Sequence, residues 1–108
     1  MRETVAFFDL NGVVLGLYRR DLLAEDLGVP VPAPGFRGVT VAVNVDTPED
    51  VARVIEAAVA AGGSVLAPAR QMVWGGVAGY FADRDGHAWE VAYNPGLPLD
   101  EEGRVRLR

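Results

Sequence analysis

The chain has 108 residues, half of them apolar, 23% charged, with a net charge of −5. One domain with a modest core fits that length, and the composition excludes fibrous and wholly disordered chains. Cysteine is absent, which removes disulfides, thiolate nucleophiles and iron–sulfur or zinc–thiolate centres, and the acidic balance disfavours nucleic acid and anionic membranes as partners.

No apolar run is long enough to cross a bilayer, and the first residues do not read as a signal peptide. A cytoplasmic setting is therefore expected. All ten basic residues are arginines, which reads as codon usage more than chemistry.

Residues 4–18 form two apolar runs around Asn11-Gly12. Both central residues of a type I′ turn need positive φ, and Asn-Gly tolerates that best, so a β-hairpin is expected. Both strands are apolar on both faces, which predicts a core on at least one side and a covered cavity on the other. Residues 19–27 predict one or two helical turns with Leu22, Leu23 and Leu27 on one side and Gly28 as the stop. Residues 29–38 alternate prolines with small residues, which forbids regular pairing. This stretch is either a linker or a lid that carries Phe36 and Arg37 over a pocket.

Residues 39–45 alternate strictly, with valines on one face and Thr40, Ala42 and Asn44 on the other. That pattern predicts a strand with its valine face on a core. Thr47 is a good N-cap, Pro48 suits the first helical position, and Glu49 and Asp50 oppose the positive end of the helix dipole. Val51, Val54, Ile55, Ala58 and Ala61 then make one apolar stripe. Gly62-Gly63 ends the helix. Residues 64–74 read as an irregular strand with Pro68 on an edge or bend. Residues 77–82 and 87–93 read as two more strands around an Asp83-Arg84-Asp85-Gly86 turn. The remaining tail is expected to pack loosely through Leu97 and Leu99 and then fray. The predicted class is α+β, a mixed and largely antiparallel sheet with a helix on one face.

Glu90 is the unusual carboxylate, because it stands in mid-strand between Trp89 and Val91. The two-residue period puts Trp89, Val91 and Tyr93 on one face and Ala88, Glu90, Ala92 and Asn94 on the other. The aromatic face should meet the helix. Glu90 would then project from the open face, as a ligand, acid or base, or paired with an arginine such as Arg70, or simply solvated. His87, three residues away, faces the other side and is expected to hydrogen-bond its turn. The Asp83 turn lacks the later ligands of a calcium loop. Gly75-Gly76 has no lysine after it and is no phosphate loop. Trp74, before that double glycine, is placed at a pocket rim.

The run GYFADRDGHAWEVAYNP at residues 79–95, with Trp74-Gly75-Gly76 and the Thr47-capped helix before it, resembles the glyoxalase/bleomycin-resistance/extradiol-dioxygenase superfamily, the vicinal oxygen chelate fold. The resemblance implies two βαβββ modules whose sheets curl into a cup. Residues 39–93 look like a complete second module, and residues 4–18 like the last two strands of an incomplete first one. The strand at 13–18 would then have a bare apolar edge, which implies a homodimer. Metal-dependent members use His, Gln or Glu on the first and last strands of each module. Glu90 matches one such position, and the first-strand position falls at or next to Thr40, a poor metal ligand. One ligand is short of the three or so that a catalytic metal needs.

The expectation is a protein that binds a small organic molecule in a sheet-lined cup without a catalytic metal or other cofactor. Glu90, Asn44, Thr40, Arg70, Trp74, Tyr80 and Phe36 are its candidate ligand contacts. The alternative is a metal-dependent lyase, isomerase or dioxygenase that uses Glu90 with a divalent ion.

Overall fold

The computed structural model describes residues 5–11, 14–31, 33 and 35–105. The chain divides into two compact units, with the boundary between Ala33 and Pro34, inside the proline-rich stretch. That is where a linker belongs.

The first unit holds β1 (Val5–Asp9), β2 (Val14–Tyr18) and α1 (Arg20–Leu27). β1 and β2 pair antiparallel, with Val5 opposite Tyr18 and Asp9 opposite Val14. Asn11 has a φ of 61°, as the first central position of the expected turn requires. Gly12 and Val13 lie outside the described residues. Opposite Phe7 stands Gly16, and the Phe7 ring lies so close over it that an added Cβ would sit 3.1 Å from Cε1. Gly28 closes α1 in the left-handed conformation.

One expectation fails in this unit. Phe7, Phe8, Val14 and Leu17 are exposed, so neither hairpin face is a core. In α1 the buried residue is Ala24, while Leu23 and Leu27 stand out in solvent. The cause is quantity: two strands and an eight-residue helix have too little apolar surface to cover one another.

The second unit holds β3 (Thr40–Asn44), α2 (Pro48–Ala60), β4 (Ser64–Gln71), β5 (Val77–Ala82) and β6 (Ala88–Tyr93). The sheet order is β3-β6-β5-β4, with β3 parallel to β6 and the other pairs antiparallel. Thr47 caps α2 as expected: the Asp50 amide donates to its Oγ1 at 3.3 Å. Val51 and Ile55 from α2 and Val91 from β6 form the buried centre, with Val54, Ala69, Val77, Phe81 and Tyr93 packed around it. Gly79 lets the helix approach, since a Cβ there would stand 2.5 Å from Ile55 Cδ1.

β4 stops at Gln71, three residues before the expected end, because residues 72–76 turn back on themselves through Met72 N–H to Gly76 O. Pro68 sits on the edge strand within the register shift between Ala67 and Arg70, where a missing N–H is tolerated. The valine face of β3 is less covered than its alternation predicts. Val41 and Val43 remain exposed because α2 lies chiefly over β4, β5 and β6. The tail is more regular than expected, with a bridge between Leu99 and Val105 and amide bonds from Glu102 and Arg104 to the Asp100 carboxylate.

Candidate functional site

The sheet of the second unit has a helix face and an open face. Register fixes which residues share the open one. Arg70, Ala78, Ala92 and Asn44 lie in one row across β4, β5, β6 and β3. The next row runs Ala67, Tyr80, Glu90 and Ala42. A third begins at Ser64 and continues through Ala82, Ala88 and Thr40. Six of these twelve positions are alanines, and two of them, Ala78 and Ala92, are buried. The side chains that carry chemistry are few and set apart.

Glu90 is half-buried and takes a hydrogen bond from the Tyr80 hydroxyl, Oη to Oε2, at 2.8 Å. The two residues are direct cross-strand partners. This bond to Glu90 is the main reason the Tyr80 phenol is harder to ionise than usual, with burial adding to it and the positive charge of Arg70 opposing it. Arg70 therefore stands close enough to act on the Tyr80 phenol. Among the described residues Arg70 makes no ion pair, so the pairing considered for it and Glu90 does not form.

Thr40 and Asn44 flank Ala42, which lies directly opposite Glu90. Trp74 is 44% exposed in the turn after β4, where its ring packs so close to Gly76 that a Cβ there would strike it. Phe36 is 75% exposed in the segment before β3. Two shallow hollows lie elsewhere in this unit. One is near the tail, lined by Val45, Tyr93 and Leu99 among others, and one lies beside α2 at Asp50, Arg53 and Val54. Of the expected contacts only Asn44 borders either.

The role of Tyr80 as the partner of Glu90 was missed in the sequence reading. Its signal was available. Both residues are five positions from Asp85, the centre of the β5–β6 turn, so an antiparallel pairing puts them opposite one another.

The turn itself is held by Asp83. Its carboxylate accepts from the Asp85 and His87 amides at 3.0 and 2.9 Å and from Trp89 Nε1 at 3.0 Å. Burial pushes this carboxyl up, but the indole and amide bonds outweigh it and hold it below the ordinary value. Trp89 stacks on Phe81 across the strands, ring centres 6.1 Å apart. Asp83 is thus a turn clasp, and His87 joins it through its backbone.

The family implies a divalent metal in some members. The donor set of this face does not fit one: Glu90 has Tyr80 on one oxygen and Ala42 across from it. Among the described residues no three His, Cys, Asp or Glu side chains converge. No described helix is long and apolar enough to cross a membrane.

The sequence matches the family model of the glyoxalase/bleomycin resistance protein/dioxygenase superfamily over residues 2–91. The fold is similar to a glyoxalase-related enzyme from Fulvimarina pelagi, with a TM-score of 0.87 and 39% identity over 99% of this chain and 76% of that one. It is also similar to a glyoxalase/bleomycin resistance protein/dioxygenase from Nocardioides, with a TM-score of 0.62 and 28% identity over 100% and 70% of the two chains. A family enzyme from Burkholderia phytofirmans shares the fold at 14% identity, TM-score 0.67, over 86% and 73%. No curated protein matches the sequence.

Proposed function

Because the chain belongs to the glyoxalase/bleomycin resistance protein/dioxygenase superfamily, we propose that it binds a small organic molecule on the open face of its four-stranded sheet, with no resident catalytic metal. The observation that carries this reading is the 2.8 Å bond from Tyr80 to Glu90. It fixes the carboxylate on a surface otherwise floored by alanines. A fixed hydrogen-bond acceptor over an apolar floor orients a ligand. Thr40 and Asn44 add hydrogen-bonding groups at one edge, and Arg70 a cation at the other.

A second reading, a metal-dependent lyase, isomerase or dioxygenase built on Glu90, rests on the position of that carboxylate within the family motif. It requires donors from beyond this face.

We also propose that the chain works as a homodimer. β3 is an edge strand, paired on one side with β6, and Val39, Val41 and Val43 beside that edge are exposed. An apolar strand edge of this kind is a template for a second copy.

The test is a thermal-shift panel of organic amines, carboxylates and zwitterions against the wild type, Glu90→Gln and Tyr80→Phe, in chelator-treated buffer. Binding without metal that weakens in both variants supports the reading. Ligand binding that appears only after metal is restored overturns it in favour of the second.

A further inference from the structure

Along a β-strand the backbone groups of successive residues point to alternate sides. Val45 N–H donates to Ala92 O at 2.9 Å, so Val41, Val43 and Val45 direct their amides and carbonyls at β6. Those of Thr40, Ala42 and Asn44 point the other way, along the free edge of β3. The opposite edge of this sheet, β4, is defended by Pro68, Arg70 and two register shifts. β3 carries neither proline nor charge, although the chain as a whole is acidic.

Residues 39–45 are Val-Thr-Val-Ala-Val-Asn-Val, nearly the same in both directions about Ala42. Laid antiparallel on its own copy about Ala42, the strand sets alanine against alanine, valine against valine and Thr40 against Asn44. The outward groups of Thr40, Ala42 and Asn44 then face one another, as hydrogen-bonded pairs require. A slip of one residue would set them against groups already bonded to β6, and a slip of two shortens the ladder. Beyond the strand the charges are opposite, with Arg37 before it and Asp46 after it. The same symmetry brings each toward the other's copy.

We infer that the homodimer is isologous, with β3 of each copy paired antiparallel about a two-fold axis through Ala42. This rests on the homodimer proposed above and gives it a register. Two four-stranded sheets become one of eight strands. Ala42 lies opposite Glu90, so Glu90 and Glu90 of the partner subunit fall in one row, three strand spacings or roughly 14 Å apart. The two open faces become one surface.

The chain has no cysteine, so an introduced thiol can bridge only to its own copy. Ala42→Cys puts thiols on a pair whose Cα atoms are about 5.5 Å apart, within disulfide reach. Oxidation of the full chain with copper phenanthroline should make most of it a covalent dimer. Thr40→Cys should not bridge alone, since its copies are roughly 14 Å apart, but should bridge when mixed with Asn44→Cys. Hydrogen exchange needs no variant: the wild-type Ala42 and Asn44 amides should exchange at least about tenfold faster once dilution has separated the copies. A dimer in sedimentation with no Ala42→Cys bridge and unprotected amides overturns this register and leaves the homodimer standing. Bridging by Thr40→Cys alone overturns the register too. A monomer at every concentration overturns both.

Discussion

Tyr80 and Glu90 face each other across β5 and β6, and the phenol donates to the carboxylate at 2.8 Å. The consequence is electrostatic. A tyrosinate beside a carboxylate is disfavoured, so the Tyr80 hydroxyl keeps its proton beyond the ordinary value of 10.0. A pKa raised in the folded state adds stability that is present in full below the unfolded value, near 10, and is lost as pH rises through the folded one. Glu90→Ala removes the main cause, the hydrogen bond to the carboxylate, together with its charge. Absorbance titration of the phenols should therefore show one tyrosine ionising at lower pH in that variant, with Tyr80→Phe identifying which.

Asp83 has the opposite sign. Its carboxyl is held below the ordinary value, so its contribution is present above the unfolded pKa, near 4, and is lost as pH falls through the folded one. Asp83→Ala leaves the Trp89 indole and two amides without an acceptor. A loss of about 1–3 kcal/mol is expected in urea unfolding at neutral pH. The difference from wild type should shrink as pH falls below the unfolded value and the wild-type carboxylate protonates.

At Gly79 helix and sheet meet closely. Gly79→Ala would put a Cβ 2.5 Å from Ile55 Cδ1 and 2.9 Å from the Ala69 nitrogen, and backbone cannot yield as a side chain can. The expected cost is about 1–3 kcal/mol. Gly103→Ala is the control for space alone, since nothing lies within 4 Å of its Cβ. Its φ of 77° still carries a conformational cost of about 1 kcal/mol.

Thr47→Ala removes the oxygen that accepts from Asp50 N–H at the start of α2. About 1 kcal/mol should be lost, read from the midpoint of denaturant unfolding with an unchanged slope.

Sedimentation at micromolar concentration should give a dimer. Val41→Glu places a charge on the exposed edge strand β3 and should yield a folded monomer. A wild-type monomer would refute the homodimer.

The second unit was legible because each of its signals is local. Thr47-Pro48 and the apolar stripe define α2, alternation defines β3, and the Asp83 turn sets β5 against β6. The open-face position of Glu90 follows from a period of two alone. What sequence could not supply was quantity of cover. The hairpin's apolar residues and the β3 valines read as buried, yet burial depends on a neighbouring surface, which periodicity does not report. The partner of Glu90 stayed open for a related reason. Charge suggested Arg70, whereas the turn's register gave the place to Tyr80.

The central claim is that this face offers a lone, tyrosine-held carboxylate and grips organic matter in preference to a cation. Elemental analysis of the purified protein, followed by titration with Ni²⁺, Zn²⁺, Mn²⁺ and Fe²⁺ in wild type and Glu90→Gln, tests it most directly. The account predicts metal well below one equivalent and the same weak response in both proteins. One tightly held equivalent per chain, lost on Glu90→Gln, would contradict it.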